Sequence, residues 1–291
     1  MTKMQVLAPA KINFSLKILG RRDDGFHEIE TLIAPISLYD KIDIEKQSRW
    51  IDFSCDDPTV PSGDENLVVR VAKAFFEKTK ISGGVGIKLH KKIPHGAGLG
   101  GGSSDAAATL RALAKVWRVD RQSVREAAVT LGADVPYFLE GGTVLGLERG
   151  DVLFPLPDHP RRWVVLVIPP FGVSTQEAYA WWDESRRDRG PKRGRDRARS
   201  ARSLALPDEV AENDLQSAVS KRHPEISRIV ASLRRAGSSC SAMSGSGSAV
   251  FGLFETKGAA FDAAGALKRG NRSAIVTRTL TRAECRRLAA K

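Results

Sequence analysis

Between Ile93 and Asp105 the chain reads Ile93-Pro94-His95-Gly96-Ala97-Gly98-Leu99-Gly100-Gly101-Gly102-Ser103-Ser104-Asp105, with five glycines in seven residues. An alanine-rich run, Ala106 to Trp117, follows at once. In it Ala106, Leu110, Leu113 and Trp117 recur at spacings of 4, 3 and 4, which predicts a helix with one apolar face. Ser103, Ser104 and Asp105 are residue types that cap a helix start. A glycine loop leaves backbone N–H groups uncovered and lets a ligand come close. The helix start adds its own unpaired N–H groups and a partial positive charge. Glycine runs also occur as plain flexible loops. The capped helix directly after this one points instead to an anion site, and to phosphate in particular.

Better-known phosphate loops do not fit. Gly96-x-Gly98-x-x-Gly101 has the dinucleotide spacing, and Asp120 lies at a suitable distance. Yet Lys91-Lys92-Ile93-Pro94-His95 separates the first glycine from any strand, and no repeating β-α-β pattern surrounds it. A Walker A loop needs Gly-Lys-Ser/Thr where this chain has Gly-Ser-Ser, and the catalytic signatures of protein kinases are absent. Without a Walker lysine, other groups must supply the positive charge.

Hydrophobic residues make up 42% of the 291-residue chain and charged residues 27%, the balance of a water-soluble globular protein. The longest apolar stretch, Trp163 to Ile168, is too short to span a bilayer. Pro9 and Lys11 interrupt what would be the core of a signal peptide, so a cytoplasmic location with no membrane partner is expected. Cys55, Cys240 and Cys285 are too scattered for a disulfide framework or a metal cluster. Net charge is +12, but Arg186 to Ser203 alone carries nine Arg and Lys against two Asp, a net +7. That segment lacks aromatics and an apolar period, which predicts a solvated insertion and argues against nucleic acid as the partner.

Residues 5–19 alternate. Val6, Ala8, Ala10, Ile12, Phe14, Leu16 and Ile18 share one face, and Lys11 and Asn13 share the other. On pattern alone that polar face meets solvent, and Pro9 predicts an irregular start or an edge. Short strands are expected over 29–36, 39–44, 50–53, 85–90 and 142–147, and helices over 66–80 and 121–131. Gly83-Gly84 is expected to end the first of these helices. Proline and charge from 155 to 161 mark a boundary, dividing the chain into 1–157 and 158–291. Beyond it, strands over 163–168, 239–243, 249–254 and 274–280 alternate with helices over 175–185, 225–236 and 258–269, a split β-α-β pattern.

Phosphoryl transfer to an alcohol needs a nucleotide cradle, an acceptor pocket and a carboxylate to take the hydroxyl proton. Asp134, in Gly132-Ala133-Asp134-Val135-Pro136, stands in an apolar stretch where an unpaired charge is costly. It suits that role as well as it suits an ordinary turn at a helix end. Lys11 is its natural partner, holding the carboxylate ionised and favouring a developing alkoxide.

At these residues the chain resembles the GHMP kinases. Pro94 to Ser104 resembles their phosphate-binding motif, Ala8-Pro9-Ala10-Lys11-Ile12-Asn13 their first motif, and Ser244-Gly245-Ser246-Gly247-Ser248-Ala249-Val250-Phe251 their third. Asp24-Gly25-Phe26-His27-Glu28, Glu65-Asn66-Leu67 and Asn213-Asp214-Leu215 occur in order with them, over about residues 6–255. The resemblance implies an α+β fold: an N-terminal domain like ribosomal protein S5 domain 2 and a ferredoxin-like C-terminal domain. ATP, with Mg²⁺, would meet the acceptor in the cleft between them. Lys11 and Asp134 would be the catalytic pair. Pro94, His95, Gly96, Ala97, Gly98, Leu99, Gly100, Gly101, Gly102, Ser103 and Ser104 would hold ATP, with Asn66 near the adenine.

The resemblance further implies an acceptor that is a cytidine diphosphate-linked methylerythritol, phosphorylated on its 2-hydroxyl in the non-mevalonate route to isoprenoid precursors. Asn13, Phe26, His27, Thr175 and Tyr179 would line its pocket. Phe26 and Tyr179 would stack the cytosine, and His27 would hydrogen-bond it. Phe26 stands where the family commonly has tyrosine, so stacking is kept and a hydroxyl is lost. The insertion 186–203 is not a family feature, and no protein ligand for Mg²⁺ stands out. Two alternatives differ in class: another GHMP small-molecule kinase, and a nucleic-acid-binding protein using the S5-like domain with the basic segment.

Overall fold

The computed structural model describes residues 2–120, 128, 132, 134–187 and 211–288. The expected helix over 121–131, and all but the start of the basic segment 186–203, lie outside the described residues.

Two sheets organise the molecule. The first is built on β1 (Lys3–Arg21) and β2 (His27–Gln47), a long antiparallel hairpin. The strands β3 (Ile51–Cys55), β4 (Gly84–His90) and the short β8 (Glu212–Asn213) complete the order β3-β4-β2-β1-β8. The pair β5 (Val144–Leu147) and β6 (Val152–Pro155) joins through β2. The expected strands over 29–36 and 39–44 are one strand, because a bulge opposite Pro9/Ala10 absorbs the extra residues without ending the pairing. Pro9 is tolerated there because β8, on the other edge of β1, pairs only with Ser15 and Leu16.

The second sheet is antiparallel in the order β11-β7-β10-β9, from β7 (Trp163–Ile168), β9 (Ser241–Met243), β10 (Val250–Phe254) and β11 (Ser273–Arg278). β7 reads Trp-Val-Val-Leu-Val-Ile without alternation because both its faces are covered. Val165 and Val167 pack with Ile226, Ile229 and Leu233 of α6 (Glu225–Arg235) and Ala260 and Ala263 of α7 (Lys257–Leu267). Val164, Leu166 and Ile168 pack with Ala10, Ile12 and Phe14 of β1. The apolar side of β1 thus serves successive cores. Val6 and Ala8 lie in the one beneath α1 (Leu67–Thr79) and α2 (Gly101–Trp117).

Several local expectations are corrected. The α1 helix ends at Thr79, where Lys80 takes a left-handed conformation, before Gly83-Gly84 is reached. The α2 helix starts at Gly101 with Gly100, in the left-handed region, as its N-cap. Ser103, Ser104 and Asp105 therefore lie inside the helix, Asp105 already past its first turn, and do not cap it. Asp134 opens a helix of its own, α3 (Asp134–Glu140), whose Pro136 is tolerated in the first turn. The helix at 175 extends as α4 (Thr175–Arg187), and α5 (Asp214–Arg222) and α8 (Arg282–Leu288) add to the expected set.

Candidate active site

Lys11 and Asn13 do not face solvent. They are 5% and 4% exposed, on the floor of a cleft of about 1410 Å³ that runs between the two sheets. Burying an ammonium demands partners. Lys11 Nζ donates to Asn13 Oδ1 at 2.6 Å and lies 3.7 Å from Asp134 Oδ2. Asn13 Nδ2 donates to Thr31 Oγ1 at 2.8 Å, and that hydroxyl donates to the Ser15 carbonyl at 2.7 Å. Asn13 thereby has its oxygen held toward Lys11. Cations secure the carbonyl end of α3: Arg111 donates to the Phe138 carbonyl at 2.5 Å and Arg282 to that of Gly141 at 3.1 Å. The opposite end of α3 presents Asp134 to the cleft.

The glycine loop forms one wall. Gly96, Gly98 and Gly100 take φ of +65°, +73° and +71°, while Ala97 and Leu99 between them are buried as anchors. The loop is stitched to β1 and to the third motif. Lys11 N donates to the Leu99 carbonyl at 3.0 Å, and Ala249 N to that of Ala97 at 3.1 Å. Ser244 Oγ donates to the Gly98 carbonyl at 3.1 Å and accepts from Asn13 N at 3.3 Å. A Cβ on Gly98 would stand 2.1 Å from the Ser244 carbonyl oxygen, so only glycine allows the two loops to approach this closely. Gly100 to Ser103 line the cleft at the N-terminus of α2, where unpaired N–H groups and the helix dipole favour an anion.

A cation lies under that helix start. Lys91 Nζ donates to Asp105 Oδ2 at 2.8 Å and to Asp40, all three side chains being buried, and Lys91 also lines the cleft. It stands 3.2 Å from where a Cβ on Gly101 would be. Burial works against the Lys91 charge, but Asp105 and Asp40 outweigh it and hold the ammonium above its usual range. Burial pushes the Asp105 carboxyl well above its usual range against the pull of Lys91.

The far wall gathers residues from both halves of the chain. Phe26 is 57% exposed, with the Arg149 guanidinium 5.4 Å from its ring centre. His27 stacks on Tyr179, with ring centres 4.7 Å apart. Burial, then the Asp134 charge, push the Tyr179 phenol up to about 12, so it stays neutral. Thr175 Oγ1 is 3.2 Å from Ser246 Oγ, joining α4 to the third motif.

The cleft therefore collects Lys11, Asn13, Phe26, His27, Asp134, Thr175, Tyr179 and the glycine loop from Pro94 to Ser103. Two residues point elsewhere. Ser104 is fully buried and donates to the Pro9 carbonyl at 2.6 Å, bracing α2 against β1. Asn66 caps α1 by accepting from Val68 N at 2.8 Å and donates to the Pro61 carbonyl at 2.7 Å. Sequence reasoning missed Lys91 and Thr31. Only for Lys91 was there a signal, its place in the basic pair just before the loop. Among the described residues no group of three His, Cys, Asp or Glu is placed to hold a metal ion.

Comparison with known proteins shows the family of the chain. The GHMP kinases N terminal domain matches residues 66–142 and the GHMP kinases C terminal domain residues 196–272. The 4-diphosphocytidyl-2-C-methyl-D-erythritol kinase of Chlorobium luteolum is 41% identical, over 92% of this chain and 94% of its own. That of Thermoanaerobacter pseudethanolicus is 40% identical, over 88% and 89%. A crystal structure of 4-(cytidine 5'-diphospho)-2C-methyl-D-erythritol kinase superposes with a TM-score of 0.79 at 38% identity, covering 95% of this chain and all of that one. A mevalonate kinase structure, at 14% identity and a TM-score of 0.70 over 96% and 99% of the two chains, shares the fold. The chain belongs to the GHMP kinases, with their α+β fold. Within them it belongs to the family of the 4-diphosphocytidyl-2-C-methyl-D-erythritol kinases.

Proposed function

We propose that this chain transfers the γ-phosphate of ATP to the 2-hydroxyl of 4-diphosphocytidyl-2-C-methyl-D-erythritol, a step of isoprenoid precursor synthesis by the non-mevalonate route. Family membership over nine-tenths of the chain supports the activity and the acceptor. The observation that carries the mechanism is the placing of Lys11 and Asp134 together, across one cleft from the N-terminus of α2.

The loop from Pro94 to Ser103 holds the triphosphate on backbone N–H groups at the start of α2. Asp134 takes the proton of the acceptor hydroxyl as its oxygen attacks the γ-phosphorus. The bond from that phosphorus to the bridging β,γ oxygen breaks, and ADP leaves. Lys11 steadies the developing alkoxide, and Asn13 and Thr31 keep Lys11 aimed. No phosphoenzyme is formed. Mg²⁺ bound with ATP would neutralise charge on its phosphates. The Ser103 hydroxyl, unbonded to other described residues, is the protein oxygen suited to its shell, with phosphates and water supplying the rest. Phe26 and Tyr179 stack the cytosine, His27 reads its edge, and Thr175 borders the acceptor pocket.

The working units are 1–157 and 158–291, with the cleft at their boundary. Among the described residues no helix is long and apolar enough to cross a membrane. A small-molecule enzyme of this kind fits the cytoplasm. The test is ADP release with ATP and Mg²⁺ against a panel of alcohols: the cytidine diphosphate-linked methylerythritol, homoserine and mevalonate. Turnover with the first alone is expected. Preference for either of the others would reassign the enzyme within its family. Deleting residues 186–203 should leave that turnover in place, whereas a protein working through nucleic acid would lose its activity with the segment.

A further inference from the structure

His27 is held on three sides by one helix. Tyr179 and Asp183 are four residues apart on α4, so their side chains emerge side by side. Tyr179 stacks on the His27 ring at an interplanar angle of 26°. Trp182 meets it edge-on, with ring centres 5.5 Å apart at 89°. Asp183 Oδ1 lies 2.9 Å from Nε2, although the two residues are 156 positions apart in the chain. The His27 side chain is only 9% exposed, and His27, Tyr179 and Asp183 all line the cleft.

The contact with Asp183 decides where the imidazole proton sits. A carboxylate oxygen only accepts, so Nε2 must carry a hydrogen. In the neutral ring Nδ1 is then an acceptor, and among the described residues it has no hydrogen-bond partner. A half-turn of the ring would keep the Tyr179 stack but carry Nε2 away from the carboxylate, so the Asp183 contact is what holds this edge in place. The pocket therefore holds one fixed acceptor. A cytosine offers it the exocyclic amine, a donor. A uracil offers a carbonyl oxygen at the same place, and two lone pairs would face each other.

We propose that Asp183 is a positioning residue that locks His27 in its Nε2–H tautomer and so makes the acceptor pocket select a cytosine over a uracil base. The inference rests on the assignment of this wall to the cytidine moiety, and its test separates the two. The tautomer is read without substrate, from long-range ¹H–¹⁵N spectra of the ¹⁵N-histidine-labelled full chain at pH 8. The His27 signals, assigned by their loss in H27A, should show protonated Nε2 and bare Nδ1, and D183A should abolish that pattern. Protonation at Nδ1, or at both nitrogens, overturns the proposal.

Selectivity is read from kcat/KM for cytidine diphosphate- and uridine diphosphate-linked methylerythritol. A site built around one polar contact commonly rejects the mismatched analogue by about 10²-fold or more. D183A should cut the ratio by about tenfold, the worth of one hydrogen bond, mainly by raising KM for the cytidine compound. In an H27A background D183A should leave the ratio as it stands, because Asp183 acts through His27. An unchanged ratio in D183A sinks the inference while leaving the kinase assignment intact. A wild type inactive on both compounds sinks the kinase assignment, and the spectra still report on the Asp183–His27 pair.

Discussion

Lys11 Nζ lies 3.7 Å from Asp134 Oδ2, and the lysine is buried while the carboxylate is 36% exposed. The carboxylate is thus the member of the pair that a bound hydroxyl can reach. Asp134→Asn keeps the shape and loses the proton acceptor. Its kcat should fall by roughly 10²–10⁴-fold, with ATP affinity little changed, as steady-state kinetics and nucleotide titration would read. Near-normal turnover would remove Asp134 from the role of base.

Lys11→Ala tests the other half of the pair. It leaves Asn13 Oδ1 without its donor on the cleft floor and takes from Asp134 its neighbouring cation. If Lys11 stabilises the transition state, kcat should drop far more than KM for ATP rises. A change confined to KM would reassign Lys11 to nucleotide binding.

Gly98→Ala tests the seam between the two loops. The added methyl would meet a backbone oxygen of Ser244 at 2.1 Å, and φ of +73° is already unfavourable for alanine. The loops must separate, so both activity and Tm should fall. Gly96→Ala, where a Cβ meets nothing within 4 Å, shares the backbone strain without the clash and should be milder in melting experiments.

Asp105→Asn probes the buried ion cluster under α2. Burial holds the Asp105 carboxyl well above its ordinary 3.8. The folded state then keeps a proton that the unfolded chain releases. Stability from this group therefore falls as pH rises from about 4 toward the folded value. Asparagine cannot ionise, so denaturation curves from pH 4.5 to 8 should shift in favour of the variant as pH rises. Parallel curves for the two proteins would show that Asp105 is ionised in the fold.

Much of the architecture is legible in short range. The alternation of β1 and the 4-3-4 spacing of α2 are local periodicities that burial of one face imposes. The unbroken run of β7 shows only a buried strand, not what covers each side. The helix start was misplaced because Ser103, Ser104 and Asp105 are ideal caps. What overrode them was the left-handed turn at Gly100, which begins the helix earlier and sends Ser104 to Pro9 and Asp105 to Lys91. Lys11 and Asn13 read as solvent-facing because a polar strand face looks the same over water or over a cleft. Asp183 carried no signal at all, since its meaning depends on α4 lying against His27 at the start of β2.

The sequence by itself determined the kind of chemistry: a glycine loop and helix start for phosphate, a carboxylate in an apolar stretch, and a lysine on the first strand. These follow from properties each residue carries locally, namely backbone freedom, charge and period. Only the tertiary structure decided which of them meet. It buried Lys11 within reach of Asp134, set Lys91 beneath α2 and aimed His27 from Asp183. Those pairings depend on strand register and on packing between distant segments, and no local pattern records either.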